Sequence, residues 1–194
     1  NIHQQCRIIP VMQRKQETPS PHTSDHDTSQ ELELLRKDNQ RCLADAVISV
    51  IQTHQQSQLS SKEELRIRKT RQTQMPTPTL EGLDLRDTTQ LYANELVGPQ
   101  GYTAKVTKFD QRDLSRLPPN TVLFLWQTNQ DTDSWAHAVH PLEVRDDEVQ
   151  CNDRIYTRQE INSGLKRHEI QCHQFGSKPY NAMEIIPQDQ HDHT

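Results

Sequence analysis

Apolar and aromatic residues are scarce in this chain: 31% of its 194 residues are hydrophobic and 5% aromatic. That leaves material for one modest core, concentrated in the middle because residues 1–30 and 187–194 hold almost no apolar pattern. No apolar run approaches the roughly 18 residues of a membrane span, and the opening residues carry no signal-peptide pattern. A soluble protein without a membrane partner is expected, cytoplasmic or secreted into a target cell. Charge of one sign is also missing, with 22 basic residues against 27 acidic and a net charge of -5. The densest basic stretch, Lys62 to Arg71, also carries Glu63 and Glu64. A nucleic-acid binder needs a one-signed face with interleaved aromatics, so nucleic acid is not expected as a partner. The four cysteines (Cys6, Cys42, Cys151 and Cys172) show no CxxC spacing, which lends little support to a zinc centre or a disulfide framework. His22, His26, His191 and His193 sit in polar ends and read as solvated tails rather than ligands. Neither a metal nor a cofactor is expected.

The middle of the chain is patterned. Residues 1–30 read as a largely irregular N-terminal segment, 31–186 as one folded domain, and 187–194 as a disordered polar tail. After a possible N-cap at Thr28 or Ser29, apolar residues recur at helical spacing from Leu32 to Ile51. "LSSKEELRIRK" reads as a helix capped by Ser60 or Ser61, with Glu64 placed for a capping box. "LEGLDLRDTTQLYANEL" resumes helix, with Leu85, Leu91, Tyr92 and Leu96 as core contacts, and stops at Gly98-Pro99. The period then changes. "GYTAKVTKF" alternates like a half-buried strand, "DQRDLSRLPP" is a short helix, and "TVLFLW" suits a central strand buried on both faces. "SWAHAVHPLEV" and "DEVQCNDR" are two further strands. "TRQEINSGL" is a helix capped by Thr157 with Glu160 three residues later, and "AMEII" closes as a strand. Helices first and a mainly antiparallel sheet second make an α+β chain.

Cys42 is the residue on which the chemistry turns. If the helical run breaks at Asp38-Asn39-Gln40, Cys42 stands at a helix N-terminus, whose partial positive charge favours a thiolate. If the helix runs unbroken from about 30 to 54, the sulfur lies in mid-helix as a buried structural cysteine. A cysteine nucleophile also needs an imidazole and a group to orient it. His137 and His140 lie on opposite faces of one strand. A two-residue turn at Asp146-Asp147 sets His140 opposite Asp153, whereas a loop centred on Arg145, or a bulge at Pro141, sets His137 there. Asn152 could replace Asp153 as the orienting group.

The ordered segments "RCLADAVISV", "SSKEELRIR", "EGLDLRDTTQLYANELVGPQGYTAKV", "DLSRLPPNTVLFLW" and "HAVHPLEVRDDEVQCND" resemble papain-like cysteine peptidases. The likeness is closest to the bacteriocin-processing peptidases that cut after double-glycine leaders, and it covers roughly Asp38 to Leu165. Sixteen positions separate His137 from Asp153, similar to the family's spacing. The resemblance implies a papain-like α+β fold, its N-terminal helical half packing a cysteine helix on a C-terminal, mainly antiparallel sheet. It also implies a thiol hydrolase acting on amide bonds of a protein or peptide, by cleavage or glutamine deamidation. A monomer is expected, and the polar, Gln- and His-rich composition suits a secreted effector or toxin domain. Cys42 would be the nucleophile, His137 the base and Asp153 the orienting group, with His140 and Asn152 as fallbacks. Leu43 stands where the family has Gly, and Arg36 where it has the Gln that helps bind the oxyanion; Gln40 is the candidate substitute. "DNQRCLADAV" also resembles the core of ovarian-tumour-type deubiquitinases, with one extra residue between Asp38 and Cys42. A degenerate papain-like domain that binds a partner protein or peptide without cutting it is the alternative from another class.

Overall fold

A computed structural model describes residues 25–38, 41–74, 93–109, 111–128, 134–163, 166–167, 170–171 and 182–188. Helix α1 (Asp25–Arg36) begins earlier than the expected cap at Thr28 or Ser29 and ends before Asp38. Helix α2 (Cys42–Gln55) starts afresh after it, and α3 (Ser61–Gln74) follows. The helical run is therefore two helices. Their junction is closed by backbone bonds from Asp38 to Leu35 O and from Arg41 to Asp38 O, while Asn39 and Gln40 lie outside the described residues.

Helix α2 buries Cys42, Leu43, Ala44, Ala46, Val47, Ile48, Val50 and Ile51, more than one stripe, because it is covered by α3 on one side and by the sheet on another. Burial of each Val or Ile side chain is worth about 1.5–3 kcal/mol, so α2 is the pillar of the first core. It ends at Gln56, whose left-handed backbone (φ 56°) returns N–H groups to Gln52 and Thr53. The capping box of α3 joins Ser60 to Glu63, not Glu64: Glu63 N–H donates to Ser60 Oγ at 3.2 Å, and Ser60 N–H to Glu63 Oε1 at 3.3 Å. Glu64 is thereby left to pair inward.

A four-stranded antiparallel sheet runs in the order β1-β9-β2-β3, from β1 (Tyr102–Thr107), β2 (Thr121–Thr128), β3 (Ser134–Val139) and β9 (Ala182–Pro187). Strand β2 is buried on both faces, as its unbroken apolar run requires. Val122 and Phe124 join the core around α2, whereas Leu123 and Leu125 join a second core with Val139, Val149, Tyr156 and Ile161. The second, three-stranded sheet is β4 (Pro141–Val144), β5 (Glu148–Cys151) and β6 (Ile155–Thr157), followed by helix α4 (Arg158–Ser163). Thr157 and Glu160 form the expected capping box at its start. The short pair β7 (Lys166–Arg167) and β8 (Ile170–Gln171) precedes β9.

Two expected helices and one strand take modified forms. "DQRDLSRLPP" is a 3-10 helix over Gln111–Arg116, "SWAHAVHPLEV" divides into β3 and β4 at His140, and the third helical region is described only at residues 93–97 before the 3-10 turn Gly98–Gln100. Leu96 is buried there, and Leu85, Leu91 and Tyr92 lie outside the described residues. At the other end, Gln188 is still tied to the fold through its N–H to Gly101 O. Among the described residues no helix is long and apolar enough to cross a membrane.

Candidate active site

Cys42 is the first residue of α2 and is 7% exposed. No side chain caps that helix start, so its first-turn N–H groups have no intrahelical acceptor. The backbone N–H of Ala138 donates to Cys42 Sγ at 3.5 Å. Strand β3 is the outer strand of its sheet, and this bond runs from its edge away from β2. The sulfur thus rests beside the backbone of His137, the residue before Ala138.

His137 is 6% exposed, and its Nε2 lies 2.7 Å from Asp153 Oδ2. Asp153 also accepts the Tyr156 hydroxyl on Oδ2 at 2.5 Å and the Arg154 N–H on Oδ1 at 2.9 Å. Burial pushes the Asp153 carboxyl up, but the hydrogen bonds from His137 and Tyr156 outweigh it and hold the group below the usual carboxylate range. An ionised carboxylate only accepts, so His137 carries its proton on Nε2, and Nδ1 is the basic nitrogen. That Nδ1 is buried and has no hydrogen-bond partner. Burial and the Asp153 charge push the Tyr156 phenol up, so it remains a donor. The Arg154 guanidinium packs 3.8 Å from the centre of the Tyr156 ring.

The choice between the two histidines is decided by strand register. Val144 pairs with Val149, but Pro141 pairs with Cys151 and Glu143 with Gln150, so a bulge lies between Pro141 and Glu143. This shift sets His140 opposite Asn152 and turns Asp153 to the strand face that Val139 and His137 share, where the His137 side chain reaches it. His140 does other work: its Nδ1 bonds Ser49 Oγ at 2.8 Å, and its N–H donates to Asn152 Oδ1 at 2.7 Å. Burial lowers the His140 pKa to about 4, so the ring is neutral at physiological pH. Asn152 returns its own N–H to His140 O at 3.0 Å. N–H groups two residues apart on a strand point to the same side. Ala138 and His140 therefore carry Cys42 and Asn152 along one edge, roughly 7 Å apart at about 3.4 Å per residue.

No protein-family model, curated protein or solved structure matches the chain.

The site thus stands on its own geometry, which holds one feature that cysteine spacing did not suggest: Cys42 is disulfide-bonded. Cys151, the free cysteine among the described residues, is buried, and burial followed by the Asp153 charge pushes its thiol up. Cys6 and Cys172 lie outside the described residues, as does Gln40. Arg36, expected from the resemblance to stand where an oxyanion-binding Gln would be, makes a two-pronged bond to Glu64 at 2.7 and 2.8 Å. Glu64 also holds Arg68 at 2.9 Å, Arg68 holds Asp45 at 2.8 Å, and Asp45 lies 3.6 Å from Arg41. This chain of ion pairs ties the end of α1 and the first turn of α2 to α3. An open groove of about 770 Å³ runs along α2 past Ser49, Gln52 and Leu142 to Asn152 and Asp153. Among the described residues no cluster of three or more His, Cys, Asp or Glu could hold a metal ion. Tyr156 and the Ala138 N–H are the site groups that sequence reasoning missed; the β-prone "IYT" after Asn152-Asp153 was the available sign of a strand carrying a buried phenol.

Proposed function

We propose that the protein is a papain-like thiol hydrolase acting on amide bonds of a protein or peptide, with Cys42, His137 and Asp153 as its triad. The observation that carries this reading is the polarity of the imidazole: Nε2 is fixed by Asp153, and the buried Nδ1 is unpartnered while Cys42 Sγ rests on the neighbouring Ala138 N–H. With the disulfide reduced, Nδ1 takes the Cys42 proton, and the thiolate at the α2 N-terminus attacks the amide carbonyl. The first-turn N–H groups of α2 face the developing oxyanion. The imidazolium then protonates the leaving amine or ammonia, and water hydrolyses the thioester. Peptide cleavage and glutamine deamidation share this path and differ in the leaving group.

The reading is tested with a peptidyl epoxide or vinyl sulfone on reduced full-length protein. Covalent labelling at Cys42, lost in His137→Ala, is expected; labelling that is absent or insensitive to His137 counts against it. A second reading is favoured by the disulfide itself, since a sulfur held in S–S is no nucleophile, and by the open groove along α2. In that reading the domain binds a partner peptide and Cys42 is structural.

A further inference from the structure

We propose that one chloride ion binds between Arg68 and Arg71, where α1, α2 and α3 meet. The site stands apart from the hydrolase reading. Among the described residues, the guanidinium groups of Arg36, Arg41, Arg68 and Arg71 gather here with the carboxylates of Asp38, Asp45 and Glu64. Glu64 is held by Arg36 and Arg68, Asp45 by Arg68 and Arg41, and Asp38 acts on Arg71 through its charge. Four cations against three anions leave one positive charge over, and arginine does not shed its proton in proteins.

The surplus is buried. Arg71 is 5% exposed and Arg68 8%, and the N–H donors at Arg71 Nε and Arg68 Nη1 have no hydrogen-bond partner. Buried donors are seldom left so, and an uncompensated buried cation is costlier still. Burial is the larger influence on the Arg71 guanidinium and pushes its pKa down, while the Asp38 charge offsets only part of this. Both side chains border a cavity of about 10 Å³, with Asp38 and Arg41 beside them and Leu35 and Ala44 as its apolar wall. That is room for about one water-sized sphere, too little for sulfate, phosphate or a carboxylate ligand. A water molecule there could accept both N–H bonds but would leave the charge; a monatomic anion answers both. Ala44 lies in the first turn of α2, whose start no side chain caps, and the helix adds its own positive potential. Cys42 reaches the other way, to Ala138 of β3. The ion would therefore fasten two arginines of α3 to the turn that carries Cys42.

The test is thermal unfolding of the full chain, with chloride raised from about 1 to 100 mM against gluconate at constant ionic strength. For millimolar affinity, Tm should rise by about 5 °C and then saturate. Arg71→Met removes the surplus charge and should abolish the rise, whereas Arg71→Lys should keep a weakened one. Crystals of the parent soaked in bromide should show an anomalous peak between Arg68 and Arg71, a readout that holds even if Arg71→Met fails to fold. A Tm indifferent to chloride, a rise undiminished in Arg71→Met, or a cavity that holds water but no bromide would each overturn the proposal.

Discussion

His137 meets Asp153 through Nε2 at 2.7 Å and turns a buried, unpartnered Nδ1 away from it. The carboxylate therefore fixes both the tautomer and the face of the ring that can accept a proton. Asp153→Ala removes that control and the charge that stabilises an imidazolium. In the reduced protein Cys42 should then be alkylated more slowly at pH 7, by about tenfold or more, read from alkylation rate. Asn152→Ala should leave that rate unchanged. Its cost is to stability, about 1–3 kcal/mol for the His140 N–H left without its acceptor, measured by urea unfolding. Equal effects of the two variants on reactivity would contradict the division of roles.

His140 makes the fold sensitive to acid. Its folded pKa of about 4 lies below the ordinary 6.5, so the unfolded chain binds the extra proton between those values. Stability should be fully present above pH 6.5 and fall as pH drops toward 4, by on the order of 3 kcal/mol in total. Urea midpoints at pH 7, 6 and 5 should show this slope in the parent and lose it in His140→Gln. Asp153, whose carboxyl is depressed, contributes stability that is lost only at lower pH, below the ordinary 3.8, so the two groups separate along the pH axis.

The neighbouring acids Glu63 and Glu64 should behave very differently. Glu63 closes an exposed capping box, and Glu63→Ala should cost about 1 kcal/mol. Glu64 lies between Arg36 and the buried Arg68, and its hydrogen bond from Arg36 is the main cause holding its carboxyl low. Glu64→Ala leaves Arg36 without its acid and the buried Arg68 with Asp45 alone, and should cost about 2 kcal/mol, more than the exposed capping residue. Thermal unfolding of both variants checks the contrast; similar losses would mean that the ion pairs around α2 carry little.

Much of this arrangement was legible in the chain, and particular residues show why. The Asp38-Asn39-Gln40 stretch interrupts a helical period, and α2 does begin at Cys42. Period-two alternation put His137 and His140 on opposite faces, and Pro141 marked where a bulge would choose between them. The unbroken apolar run of β2 foretold burial on both faces. Other features were not legible for physical reasons. Disulfide pairing depends on how distant segments meet in space, so spacing could not reveal the bond at Cys42. Ser60 and Ser61 are equivalent as caps until packing turns Glu64 toward Arg36 and Arg68. The Tyr156 hydroxyl on Asp153 needs the β5–β6 register to be known.

The pairing of Cys42 with His137 is tested most directly by the pH dependence of Cys42 alkylation in the reduced protein, parent against His137→Ala, with Cys6, Cys151 and Cys172 replaced by serine. Rapid reaction extending below about pH 7 in the parent, and an ordinary thiol profile near pH 8.5 in the variant, is the expected result for a His-paired thiolate. An ordinary profile in both proteins would contradict the pairing and return Cys42 to a structural role.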